Sequence, residues 1–265
     1  MPRKKKVFYY EDAAHDDFAG TNIHTAVVDE TFPYIHTGIL WKIGQFIAYY
    51  LFAYPLVWFF ERVILGMRFV NKDAVKQCKD TPCYLYGNHT GWYDAFTPNV
   101  ITLPHRRNCI VVGADTVSIK GLRGFVQMMG AIPLPTTMRG MKKFMQAMDH
   151  YHETCNITIY PEAHIWPYYT GVRPFPEASF GYAVKHNSPV FAFFTAYTKP
   201  TGLFGWCRKA NITVYVSDPI FPDKTLSDRE ARKDLRDKVY AFMEEKSALS
   251  DYEVHTYIQK QPQEQ

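Results

Sequence analysis

The chain is short of cysteine, and the cysteines it has form no pattern. Its five thiols (Cys78, Cys83, Cys109, Cys155 and Cys207) are odd in number and include no CxxC pair. Neither a disulfide framework nor a zinc knuckle is suggested, and reduced, cytosol-facing thiols are the simpler reading. A large excess of one charge is also missing. Net charge is +4 and aromatic residues make up 16% of the chain. A nucleic-acid binder would cluster Lys and Arg on one face with far fewer aromatics, so no nucleic acid is expected as a partner. The histidines lack HExxH or comparable ligand spacing, and neither a metal nor any other cofactor is expected. No apolar run follows MPRKKK within reach of a secretory signal, and there is no internal repeat.

One long apolar run is present. Residues 39–60 read ILWKIGQFIAYYLFAYPLVWFF, interrupted only by Lys42 and Gln45. As a helix this run would cover about 33 Å, close to a bilayer core. Three readings compete: a buried core helix, a single transmembrane span, and an interfacial or re-entrant helix pair. Pro55 divides the run, and Trp41, Tyr49, Tyr50, Tyr54 and Trp58 favour the headgroup level, which points to the last. Flanking Lys42, Arg62, Arg68 and Lys72 would snorkel to lipid phosphates. The expected organisation is a polar, loosely ordered arm (1–37), an apolar and aromatic anchor (38–66), a domain over 67–250 and a solvated tail (251–265).

Beyond residue 67, short β-rich runs alternate with helical ones. Strands are expected at 82–87, 109–113, 131–135, 156–160, 189–197 and 211–216, with helices near 94–103, 119–129, 138–152, 176–187 and 227–247. This alternation predicts an α/β fold with a mainly parallel central sheet flanked by helices, preceded by a membrane-associating helical hairpin. Strands buried on both faces account for the continuous apolar character of the runs.

Ligands in such sheets bind beyond the carboxyl ends of the strands. The stretch YLYGNHTGWYDAF places Asn88 and His89 at one such end and Asp94 where the next helix begins. A carboxylate there is favoured by the helix dipole. It can also hold one imidazole nitrogen and leave the other free to take a proton, the base and orienter of a triad without its nucleophile. The plainer alternative is a helix-capping Asp beside an incidental loop His.

The Asn-His-x4-Asp arrangement resembles the first motif of the glycerolipid acyltransferases typified by 1-acylglycerol-3-phosphate acyltransferase. YPEAHIWP, with Pro161 and Glu162 after the strand NITIY, is similar to that family's Pro-Glu-Gly element. Ser188-Pro189-Val190 is similar to its late Val-Pro segment. The resemblance covers roughly residues 67–220. It implies catalysis by His89 and Asp94, with Asn88, Thr90, Gly91 and Glu162 contributing to the substrate site. It also implies an acyl-CoA or acyl-carrier-protein donor, a lysophospholipid acceptor, a membrane as partner, and a catalytic domain facing the cytoplasm. A thioester is already activated, so a base that strips the acceptor hydroxyl is enough. The imidazole reference pKa, near 6.5, suits that step. N–H groups near Thr90 and Gly91 are expected to stabilise the oxyanion.

Two departures stand out. The family's Pro-Glu-Gly-Thr/Ser-Arg becomes Pro161-Glu162-Ala163-His164-Ile165, without the Arg that helps hold the acceptor phosphate. Arg173 is expected to replace it from a loop. Arg139, after the strand AIPLP, is the other expected phosphate ligand. These departures leave open a different lysolipid or a glycolipid acceptor. A non-catalytic lipid-binding protein of the same fold is the more distant alternative.

Overall fold

A computed structural model describes residues 5–20, 25–119, 121–202, 205–206 and 208–260. Cys207 lies outside the described residues. In chain order the strands are β1 (Val7–Tyr10), β2 (Arg68–Val70), β3 (Tyr84–Gly87), β4 (Asn108–Val112), β5 (Ala131–Pro133), β6 (Asn156–Ile159), β7 (Val190–Thr198), β8 (Asn211–Val216) and β9 (Thr256–Gln259). Seven of them form one sheet in the order β2-β8-β7-β3-β6-β4-β5. Every pairing in it is parallel except β7 with β8. Strand β3 sits between β6 and β7 and is buried along its whole length. One core lies on each face of the sheet. Tyr84, Tyr86, Ala192 and Phe194 face helix Asp228–Ser247 through Leu235, Val239 and Met243. Leu85, Phe191, Phe193 and Tyr197 face Met67, Tyr93 and Tyr160. The alternation of faces along β3 and β7 is the two-residue period of a strand.

The expected helical hairpin is not formed. Residues Ile39–Ile64 make one continuous helix of 26 residues. Pro55 does not divide it because the turns before it, Ile47–Ala53, are wound as a π-helix, and Pro55 itself occupies the first turn of the α-helical segment Tyr54–Phe59. The wider π-helical turns accommodate a residue that lacks an N–H. The helix lies along the domain. Trp41 packs on Gly124, Tyr49 donates to Asn99, and Glu61 accepts from Thr97 Oγ1 at 3.0 Å. Its other side exposes Leu40, Phe46, Leu51, Phe52, Leu56 and Phe59. A core helix is therefore excluded.

Arm and tail are also more ordered than expected. Strand β1 pairs in parallel with β9, joining Val7 to Thr256 and Tyr10 to Gln259. The reason is aromatic: Phe8 stacks on Tyr257 at 5.1 Å, and Tyr257 stacks on the fully buried Trp166 at 4.9 Å.

Candidate active site

Strand β3 ends at Gly87, where the ring of Phe193 occupies the space a side chain would need. Asn88 follows and is fully buried. Its Oδ1 accepts the Thr195 N–H at 2.8 Å and its Nδ2 donates to the Thr195 carbonyl at 3.2 Å. The amide extends the β3–β7 pairing by one residue. Expected among the substrate ligands, Asn88 instead fixes the strand end, because both ends of its amide are taken.

His89 then turns out of the sheet. Its Nδ1 lies 3.0 Å from Asp94 Oδ2, and its ring stacks on Tyr160 at 4.5 Å. Nε2 has no hydrogen-bond partner among the described residues. The side chain of His89 is 18% exposed and that of Asp94 only 2%, so the imidazole reaches solvent while its orienting carboxylate does not. Asp94 Oδ2 also accepts the N–H groups of Thr90 at 2.6 Å and Gly91 at 2.8 Å, capping the short helical turn Trp92–Ala95. The capping role and the orienting role coincide in one atom. This corrects the expected oxyanion site, since those two N–H groups are committed to a carboxylate. Thr90 does not face substrate either: it is fully buried, with its hydroxyl 2.7 Å from Tyr197.

Glu162 closes the arrangement from β6. Its Oε2 accepts the His89 N–H at 3.2 Å and its Oε1 the Arg173 N–H at 2.9 Å. The Arg173 guanidinium lies 3.3 Å from Glu162, donates to the His164 carbonyl and covers the Trp166 ring at 5.0 Å. Both charged side chains are 1% exposed. Burial pushes the Glu162 carboxyl up, and Arg173 pulls it back down; burial likewise pushes the Arg173 guanidinium down. Arg173 was expected to hold a phosphate. It is sealed inside against Glu162, so this expectation is corrected.

The Acyltransferase family model matches residues 66–195, which span His89, Asp94, Glu162 and Arg173. Residues 66–195 belong to the acyltransferase family. The fold is similar to the crystal structure of the 1-acyl-sn-glycerophosphate (LPA) acyltransferase, PlsC, from Thermotoga maritima, with a TM-score of 0.53 and 15% identity over 79% of this chain and 94% of that one. At that identity the likeness is one of fold. A comparison with curated proteins gave no match.

Within the acyltransferase domain two expected contributors stand apart from His89. Arg139 follows β5, at the far edge of the sheet. Its side chain is 86% exposed and its nearest acid is Glu30 at 4.0 Å. The Ser188-Pro189-Val190 element lies at the opposite end of the strands, where Ser188 Oγ donates to the Pro82 carbonyl at 2.6 Å.

Other neighbours were not foreseen. Tyr160 stacks on His89 and donates to the Asp94 carbonyl. Tyr93 and Tyr197 join hydroxyl to hydroxyl at 2.6 Å, continuing the chain from Thr90. Burial pushes all three phenols well above their ordinary range, so they stay neutral donors. The signal for Tyr160 was its place at the end of NITIY, directly before Pro161-Glu162.

Proposed function

We propose that the protein moves a fatty acyl group from a thioester donor, acyl-CoA or acyl-carrier protein, to the hydroxyl of a lysophospholipid, with 1-acylglycerol-3-phosphate as the first acceptor to test. The carrying observation is the 3.0 Å contact of His89 Nδ1 with Asp94, which leaves Nε2 free at the strand end. Nδ1–H donates to Asp94, and Nε2 takes the proton of the acceptor hydroxyl. The oxygen then forms a bond to the thioester carbonyl carbon, the carbon–sulfur bond breaks, and the imidazolium returns its proton to the departing thiolate. Glu162 supports the loop at His89 through the backbone. The commitment of Arg173 to Glu162 favours a second reading of the acceptor. Without that guanidinium in the site, a lysolipid with another headgroup, or a glycolipid, fits equally well.

The membrane reading belongs here too. The helix Ile39–Ile64 is long and apolar enough to cross a bilayer. Its contacts to the domain run from Trp41 to Glu61, which favours a helix lying in one leaflet over one that leaves the domain to cross. The catalytic domain would face the cytoplasm, in keeping with the unpaired Cys78, Cys83, Cys109 and Cys155.

The test is a panel of lysolipids and glycolipids with one thioester donor, read by thiol release, for wild type and His89→Ala. The expected result is release with a narrow set of acceptors and a loss of about 10²- to 10⁴-fold in the variant. Equal rates for both proteins would remove His89 as the base. No release with any acceptor would favour a lipid-binding protein.

A further inference from the structure

Strands β3 and β7 are parallel and end at the edge of the sheet that carries His89. Strand β8 runs the other way and β2 runs with β8, so both begin at that edge. The β7–β8 connection and the residues leading into β2 therefore meet there. Between them is a cavity of about 260 Å³ lined by Gly66, Arg68, Thr198, Thr201, Arg208 and Asn211, among others. Two guanidiniums, several hydroxyls and an amide line it, and among the described lining residues there is no carboxylate.

The cavity has been built around its arginines. Gly66 adopts φ +62°, and the Arg208 guanidinium occupies the space a side chain at Gly66 would need. The left-handed backbone favours glycine here. Arg208 Nε is buried and has no hydrogen-bond partner among the described residues. Asn211 Nδ2 donates to Thr201 Oγ1 at 2.9 Å, which leaves the Thr201 hydroxyl proton free to donate elsewhere. Two guanidiniums line one opening with no acid among its described lining residues, an arrangement that favours a bound anion. Guanidinium forks with neighbouring hydroxyl donors suit a tetrahedral oxyanion.

The geometry points to a phosphoryl-binding site in this cavity, formed by Arg68 and Arg208 and separate from the His89–Asp94–Glu162 arrangement. Two sources present that chemistry to this protein: the headgroup of an anionic phospholipid, and the phosphates of a coenzyme A donor. The position favours the lipid. Gly66 lies two residues beyond the apolar helix Ile39–Ile64, and Trp206, in the same connection as Arg208, is 86% exposed. An exposed indole two residues from Arg208 suits the headgroup level.

The experiment uses the full chain as wild type, Arg68→Gln, Arg68→Glu and Arg208→Lys. Coenzyme A and inorganic phosphate are titrated by calorimetry. Vesicles of phosphatidylcholine, with and without phosphatidylglycerol, are tested by co-flotation. Arg68 is exposed, so its variants keep the wild-type unfolding midpoint. The expected result is a loss of about tenfold or more in Arg68→Gln, larger in Arg68→Glu and smaller in Arg208→Lys, which keeps the charge. Loss confined to phosphatidylglycerol vesicles assigns the lipid as source, and loss confined to coenzyme A assigns the donor. Binding of every probe alike by all four proteins, or of none by wild type, overturns the site. Binding is read without turnover, so its failure is distinct from a failure of acyl transfer.

Discussion

Asp94 Oδ2 accepts from His89 Nδ1 and from two backbone N–H groups at once. Asp94→Asn keeps the shape and removes the charge that fixes the imidazole tautomer. We expect kcat to fall by about 10²-fold or more with little change in KM, measured with saturating donor. Glu162 and Arg173 set a different problem, because each is a buried charge whose only ionic partner among the described residues is the other. Glu162→Gln strands the guanidinium. The expected cost is about 3–5 kcal/mol in urea unfolding. The double change Glu162→Gln with Arg173→Met should recover most of it, because the stranded charge is gone. An additive double variant would show that the pair is not coupled.

At the scale of elements, the loop after β6 is held from both sides. Trp166 N–H donates to the His89 carbonyl at 3.1 Å, and Tyr168 N–H donates to the Thr90 carbonyl at 2.9 Å. From outside, Tyr257 on β9 stacks on Trp166 and donates to the Pro167 carbonyl at 2.8 Å. Tyr257→Ala removes both contacts. Faster hydrogen exchange at the amides of Trp166 and Tyr168 is expected, together with lower acyl transfer, and unchanged exchange there would make the β1–β9 pair a bystander. The apolar helix makes a separate prediction. Phe52 and Leu56 are each 69% exposed. Phe52→Asp with Leu56→Asp should release the protein from vesicles and leave its unfolding midpoint near that of wild type, since neither side chain is in the core.

For the whole molecule, one source of acid sensitivity is a cluster at the end of the strands away from His89. His152 stacks on His186 at 4.2 Å and lies 2.9 Å from Ser188 Oγ. Burial, then the neighbouring His186 and Arg106, pulls the His152 pKa down from 6.5 to about 4. Unfolding lets this imidazole bind a proton that the fold refuses. Its contribution to stability is therefore present above about pH 6.5 and is lost as pH falls toward about 4. His152→Gln should flatten the fall in unfolding midpoint across that window, and an identical fall in the variant would place the acid sensitivity elsewhere.

What could be read along the chain was what has a short period or a local pattern. The six expected strands, from PCYLYG to NITVYV, show as short apolar runs, most continuous in β3, β6 and β7, where both faces of the sheet are buried. Helix Asp228–Ser247 shows from its charges, and the structure caps it with Ser227 and Glu230. His89 and Asp94 are five positions apart, so the turn alone brings them together. Strands β1, β2 and β9 went unseen because none of their residues is fully buried, so they lack the apolar run that marks the inner strands.

The sequence by itself determined the α/β order, the apolar helix, and a histidine with its aspartate at the end of a strand, since each of these is set by neighbours within a turn or a run. Only the tertiary structure decided which basic groups are free. Arg173 is sealed against Glu162, Arg139 stands at a distant edge, and Arg68 and Arg208 share a cavity although 140 positions separate them. A charge is placed by what burial leaves it to pair with, and burial is settled by packing between distant parts of the chain.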